Sequence, residues 1–309
     1  MRYPPVTTNT TFNQLARHPA FEGFGKAMMP FKPSLIIAML TKWQPLSRIA
    51  RSLPGWDAAM IAGGVNFVIG QIADGIQVYH PLYTPSEIAA DPAKAEAGLF
   101  FFPGQPGAPF AMVMAGGAFM ALASIHEGFP HAKLLHEQGY HVGVLRYRTG
   151  IPKGKTKRLA RMARAAEDLI RAMQMVRDNA SDWNVDFAGY SIWGSSAGGA
   201  LALQWGSSAP DGAAANGFDK PAAVIAAYPG RGSNTETDAP TPLFVTAAAD
   251  DMVVPIALTD RLVEARRAHG SVVAYERHER GNHGYGLGSG TPAEGWFTRA
   301  VSFWEQHRR

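Results

Sequence analysis

The chain has 309 residues, of which 46% are hydrophobic and 17% charged, so it is long enough for one large core with an extension. It contains no cysteine, which excludes disulfides and a thiolate nucleophile. The formal net charge is +4, and much of the positive charge falls between Arg146 and Arg177.

Residues 1–97 hold aromatic and methionine side chains among prolines and glycines, with only short helical stretches. We predict an extension of the main domain here, and two roles stay open. It either packs as an arm over sheet or helix surface, or forms a cap over the functional site. The most apolar segments, 34–40 and 58–70, are shorter than the about 20 residues that a membrane helix needs, so no membrane span is expected.

Residues 98–309 alternate short apolar runs with helical patterns, which predicts an α/β fold with a mostly parallel central sheet and helices on both faces. The predicted strands are 99–102, 110–114, 142–147, 187–193, 222–227, 243–247 and 272–276. The predicted helices are 130–138, 157–179, 197–205, 256–268 and 292–306. This segment is the predicted catalytic domain.

The cations between Arg146 and Arg177 do not indicate a nucleic-acid site. From Lys157 onward, apolar residues recur at helical spacing, and no aromatic residues that could stack on bases lie between the cations. The N-terminal 17 residues lack a basic region followed by an apolar core, so no signal peptide is expected. Cytoplasmic residence is therefore the default expectation.

Gly194, Ser196 and Gly198 form a Gly-x-Ser-x-Gly pattern between a predicted strand and a small-residue helix. This order is typical of a nucleophile elbow, in which the serine sits on a strained turn and exposes its hydroxyl. A side chain at either glycine would collide with the neighbouring strand or helix. We therefore predict Ser196 as a nucleophile.

A serine nucleophile needs a histidine base, and the histidine needs a carboxylate that fixes its tautomer. Asp251 follows the predicted strand 243–247 and is the predicted acid. Asp250 stays an alternative, because the sequence does not say which carboxylate points inward. His283 lies among glycines after the last strand and is the predicted base, with His278 as its nearest rival.

Acyl transfer also needs N–H donors for the developing oxyanion. One comes from the residue after the nucleophile, here Ala197, and others come from a glycine-rich loop after an earlier strand. The loop that begins at Ala115 and contains Gly117 and Ala118 follows the predicted strand 110–114.

Six segments in this order resemble the α/β-hydrolase carboxylesterases, particularly those of the hormone-sensitive-lipase-like and acetylxylan-esterase-like kind. The segments are 115–119, 127–130, 144–148, 194–199, 251–255 and 282–286. The resemblance implies Ser196 as nucleophile with Asp251 and His283 as partners, and an oxyanion hole of Gly117, Ala118 and Ala197. The usual family loop reads His-Gly-Gly-Gly, whereas Ala115 and Ala118 stand here at its first and last positions.

We therefore expect a serine carboxylic ester hydrolase that acts on short to medium acyl or acetyl esters of small molecules. No metal or cofactor is expected. The alternatives are an exopeptidase of the same fold, a lipase, or a catalytically silent binding protein. A homodimer formed through exposed hydrophobic surface of the extension also stays open.

Overall fold

A computed structural model describes residues 3–30, 36–53, 55–150, 158–231 and 241–308. Within these residues, eight strands form one sheet in the order β1-β2-β4-β3-β5-β6-β7-β8. The strands are β1 Tyr79–Pro81, β2 Gly98–Phe102, β3 Pro109–Met114, β4 His141–Arg146, β5 Asp186–Ser195, β6 Ala223–Ala227, β7 Leu243–Ala248 and β8 Val273–His278.

The six neighbouring strands β4, β3, β5, β6, β7 and β8 run parallel to one another. Strand β2 runs antiparallel to both of its neighbours, β1 and β4. Strands β2, β3, β6 and β7 are buried along their whole length, which agrees with continuous apolar sequence and cover on both faces. The predicted α/β fold with a mostly parallel sheet is confirmed. Strand β1 lies in the extension and was not predicted, because three half-exposed residues carry no periodic signal.

The helices cover both faces of the sheet. They are α1 Phe12–Ala16, α2 Ile36–Thr41, α3 Leu46–Ser52, α4 Ala58–Ala73, α5 Pro85–Ala90, α6 Phe129–Glu137, α7 Arg158–Asp178, α8 Ala197–Trp205, α9 Ile256–Ala268 and α10 Trp296–His307. The predicted helices of the main domain are present, although α10 begins four residues later than predicted. Residue 157, the predicted start of α7, and residues 34–35 of the first apolar segment lie outside the described residues.

The extension is more regular than its sequence predicts, because helix α4 contains 16 residues. The carboxylate of Asp57 caps its first turn by accepting hydrogen bonds from the N–H groups of Ala59 and Met60. At Gly64 the helix comes so close to α6 that an added Cβ would lie 2.8 Å from Pro130. Helix α4 therefore packs directly on α6.

Most buried side chains of the extension share one hydrophobic cluster with the main domain, and Leu82, Tyr83 and Ala97 belong to a second shared cluster. A polar contact also joins the two parts, since the Arg146 guanidinium at the end of β4 donates hydrogen bonds to the carbonyls of Ala27 and Met29. The extension thus contributes to the same core as the sheet. In the part of the chain that the structure describes, no helix is long and apolar enough to cross a membrane.

Candidate active site

Four loops at the carboxyl edge of the sheet form the site. They follow β3, β5, β7 and β8 and carry Gly117, Ser196, Asp251 and His283, respectively. The chain connects β3 to β4 on one side and then crosses to β5 on the other side of β3. The site therefore lies at a switch point of the sheet, where α/β proteins commonly bind ligands.

Ser196 connects β5 to α8 with φ 50° and ψ −113°, a conformation that non-glycine residues seldom adopt. Two residues before and two residues after Ser196, there is no room for a side chain. A Cβ at Gly194 would lie 2.1 Å from the Gly198 carbonyl oxygen, and a Cβ at Gly198 would lie 2.1 Å from that of Met114 on β3. The steric reason given for these two glycines is confirmed, and the turn has the geometry of a nucleophile elbow.

The hydroxyl, imidazole and carboxylate side chains form one hydrogen-bonded chain. The Nε2 atom of His283 lies 2.8 Å from Ser196 Oγ, and its Nδ1 atom lies 2.7 Å from Asp251 Oδ2. The second carboxylate oxygen of Asp251 accepts hydrogen bonds from the N–H groups of Val253 and Val254, both at 2.8 Å. These contacts fix the orientation of the carboxylate toward the imidazole.

The structure shows where the alternative acid, Asp250, and the alternative base, His278, lie. Asp250 makes no hydrogen bond to the His283 ring; its carboxylate accepts a hydrogen bond from the N–H of Asn282 at 2.8 Å. His278 lies at the end of β8, where its Nε2 atom is 3.0 Å from the Thr246 hydroxyl. Its side chain is only 11% exposed, so most of it is packed within the protein.

The loop after β3 lies beside the serine. Gly117 and Ala118 line the same cavity as Ser196, and Ala118 and Phe119 both have positive φ angles, 54° and 59°. Ala197 is the first residue of α8, where an N–H group has no partner within the helix. Among the described residues, the N–H groups of Gly117, Ala118 and Ala197 donate no hydrogen bond to the protein. They remain available to an added acceptor.

A cavity of about 430 Å³ opens over Ser196, a size within the range of about 300–1,000 Å³ that small-molecule sites occupy. Its walls are mainly apolar, and their ionisable side chains are Glu127 and His283. The remaining lining residues are Pro30, Leu53, Trp56, Gly117, Ala118, Ala121, Ala123, Met252, Val253, Asn282 and Gly284. In the described part of the chain, no group of three histidine or carboxylate side chains is arranged to hold a metal ion.

Sequence reasoning missed several of these lining residues. Pro30, Leu53 and Trp56 belong to the extension, and only its aromatic and apolar content hinted at this position. Met252 and Val253 are 91% and 67% exposed beside the cavity, which no motif indicated.

The strand order, the elbow and the four loops define an α/β-hydrolase fold. Solved structures support this class: a sugar hydrolase from Lactococcus lactis is 22% identical, with a TM-score of 0.57 over 68% of this chain and 94% of that chain. An acetyl ester-xyloside bifunctional hydrolase from Caldicellulosiruptor lactoaceticus is 20% identical, with a TM-score of 0.60 over 74% of this chain and 95% of that chain. A carboxylesterase from Lactobacillus plantarum is 19% identical, with a TM-score of 0.56 over 68% of this chain and 92% of that chain.

More particularly, the family model BD-FAE matches residues 102–227. The match contains the loop after β3 and Ser196, and it ends before Asp251 and His283. No curated protein matches the sequence. The resemblance to α/β-hydrolase esterases that the sequence motifs indicated is confirmed, and at these identities the solved structures establish the fold.

Proposed function

We propose that this protein is a serine carboxylic ester hydrolase with Ser196, His283 and Asp251 as its catalytic residues. The observation that carries the proposal is the unbroken hydrogen-bonded chain from Ser196 Oγ through His283 to Asp251, at 2.8 and 2.7 Å. Both distances lie within the range that proton transfer and imidazolium stabilisation require.

In the proposed reaction, Ser196 Oγ attacks the ester carbonyl while His283 Nε2 accepts its proton. The imidazolium then protonates the leaving alcohol, and an acyl-enzyme remains on Ser196. Water attacks the acyl carbonyl in the second half of the reaction, with His283 again accepting and returning a proton. Asp251 accepts the Nδ1–H hydrogen bond throughout, which holds the imidazole in the required tautomer.

The negative charge on the carbonyl oxygen needs donors close to Ser196. We assign this role to the N–H groups of Gly117, Ala118 and Ala197. Support comes from their unpaired state within the described chain and from the position of Gly117 and Ala118 in the cavity wall.

The proposed substrates are neutral esters with short to medium acyl groups. The cavity walls are largely apolar and carry no lysine or arginine in their described lining, while Glu127 would repel a second carboxylate. The apolar side chains of Leu53, Trp56 and Val253 suit an acyl chain better than they suit the charged terminus of a peptide.

We further propose that the extension acts as a cap as well as a packing arm. Pro30, Leu53 and Trp56 contribute to the cavity wall, and helix α4 belongs to the shared core. A deletion of residues 1–70 would therefore expose core surface, so point substitutions in the cavity wall test the cap role more directly.

The test is hydrolysis of a p-nitrophenyl ester series of increasing acyl length by wild type and Ser196→Ala, together with labelling by a fluorophosphonate. We expect turnover in wild type, near-complete loss in Ser196→Ala, and label on Ser196. Wild-type turnover in Ser196→Ala, or label on another residue, would overturn the mechanism. Inactivity of wild type with label on Ser196 would indicate either the peptidase alternative or a substrate outside the p-nitrophenyl series.

A further inference from the structure

A buried turn behind the site contacts two of the catalytic loops. Residues Ser124–Gly128 form one π-helical turn, in which every residue is buried. Such turns are rare and frequently lie at functional sites, because the wider backbone changes the direction of consecutive side chains. His126 and Glu127 are the two titratable residues of the turn.

The carboxylate of Glu127 contacts the loop after β3. Its Oε2 atom accepts a hydrogen bond from the Gly116 N–H at 2.7 Å. The Gly116 carbonyl in turn accepts a hydrogen bond from the N–H of Ala123, directly before the turn. Both backbone polar groups of Gly116 are thus bonded to this one segment.

Gly116 lies between Ser196 and Glu127, where there is no room for a side chain. A Cβ at this position would lie 2.8 Å from Ser196 Cβ and 2.9 Å from Glu127 Oε2. The residue therefore separates the nucleophile from the carboxylate. Because its N–H is directed to Glu127, the next two residues, Gly117 and Ala118, are the ones left to donate into the cavity.

The other oxygen of Glu127 connects to the loop of the catalytic histidine. Glu127 Oε1 accepts a hydrogen bond from the Tyr228 hydroxyl at 2.9 Å, and that hydroxyl accepts one from the Gly286 N–H at 3.1 Å. The Tyr228 ring also meets the His283 ring edge to face, with 5.2 Å between centroids. A single buried carboxylate thus joins both loops.

His126 adds a parallel contact to the histidine loop. Its Nε2 atom donates a hydrogen bond to the Gly284 carbonyl at 2.9 Å, one residue after His283. Burial lowers the pKa of this imidazole, which agrees with a neutral ring that donates through Nε2 alone.

We infer that Glu127 is a positioning residue. It holds the loop after β3, which carries Gly117 and Ala118, and the loop that carries His283 in their positions beside Ser196. It acts through Gly116 on one side and through Tyr228 and Gly286 on the other, and it takes no proton from the substrate. This inference rests on the proposed function for its rate effects, and it deepens that proposal by adding a residue that the motifs do not assign.

The experiment compares Glu127→Ala, Glu127→Gln and Tyr228→Phe with wild type. Ala removes both contacts, whereas Gln keeps one acceptor oxygen for Gly116, and the Tyr228 hydroxyl can turn to accept from the new amide. We expect kcat to fall about 100-fold for Ala and about tenfold for Gln and for Tyr228→Phe, with KM within about twofold. Glu264→Gln, an exposed glutamate on α9, serves as the matched control and should behave as wild type.

A second measurement is the rate of fluorophosphonate labelling of Ser196, which also depends on the oxyanion donors and needs no known substrate. It should fall in the same order as kcat. A residue that served folding alone would lower the melting temperature while the kcat of the folded fraction and its labelling rate stayed at wild-type values.

Wild-type kcat and labelling rate in Glu127→Ala would overturn the inference. If Ala does not fold, wild-type values in both Glu127→Gln and Tyr228→Phe would do so. Different results would contradict the proposed function itself: turnover in Ser196→Ala, or absence of label from Ser196 in wild type.

Discussion

Asp250 and Asp251 are neighbours in sequence and contact neighbouring residues of the same opposite loop. Asp251 accepts a hydrogen bond from the Nδ1 atom of His283 at 2.7 Å, and Asp250 accepts one from the Asn282 N–H at 2.8 Å. One carboxylate therefore orients the imidazole ring while the other supports the backbone that carries it.

This difference predicts unequal effects of the same substitution. Asp251→Asn should lower kcat about 10⁴-fold, because an amide at this position favours the wrong tautomer of His283. Asp250→Asn keeps an acceptor for the Asn282 N–H and should cost about tenfold or less. Steady-state kinetics on p-nitrophenyl acetate checks both variants, and equal losses would contradict the assignment of Asp251.

Trp56 connects the extension to the site. Its ring stacks on that of His126, with centroids 4.8 Å apart and planes inclined by 19°, and it also lines the cavity. Trp56→Ala should enlarge the cavity and shift the preference toward longer acyl chains by about tenfold in kcat/KM. Trp43→Ala changes a tryptophan of the extension that is 61% exposed and serves as the control.

The measurement is the ratio of kcat/KM for p-nitrophenyl octanoate and acetate. The ratio should rise in Trp56→Ala and stay at the wild-type value in Trp43→Ala. An unchanged ratio in a folded Trp56→Ala protein would argue against the cap role of the extension.

We expect Ala118 to limit the space beside Ser196, because both residues line the same cavity. Its φ of 54° is unfavourable for a residue with a side chain, and Ala118 lines the cavity. Ala118→Gly should admit bulkier alcohol groups without backbone strain, because glycine adopts positive φ readily. Hydrolysis of tert-butyl acetate relative to ethyl acetate checks this, and an unchanged ratio would exclude Ala118 as the restricting group.

The buried His131 predicts a dependence of stability on pH. Its ring lies against those of Trp296 and Phe297, and burial lowers its pKa from 6.5 to about 3. Between these two values the unfolded chain binds the additional proton, so the free energy of unfolding falls as the pH falls. Above pH 6.5 both states are neutral at this group and its contribution is complete. Burial also lowers the pKa of His126, which acts in the same direction.

His131→Phe removes the His131 contribution and keeps an aromatic ring. Urea unfolding at pH 7 and pH 5 should show a loss of stability about 2 kcal/mol smaller in the variant than in wild type. Equal losses in the two proteins would show that His131 is already protonated in the folded state at pH 5.

The sequence determined the elements with strong periodic or steric signals. The buried parallel strands, helices α8 and α9, and the motif around Ser196 follow from continuous apolar runs, helix-forming composition and glycines that no other residue can replace. The order of Ser196, Asp251 and His283 along the chain, on which the proposed triad depends, also needed no coordinates, because each residue follows a predicted strand.

Only the tertiary structure decided which side chains meet. The choice between Asp250 and Asp251 depends on the direction of two adjacent side chains, which no local pattern records. The contacts of Glu127 join residues separated by 11 and 101 positions, and the extension reaches the cavity because α4 packs on α6. Local propensity fixes the elements, whereas contacts between residues distant in sequence depend on how those elements pack.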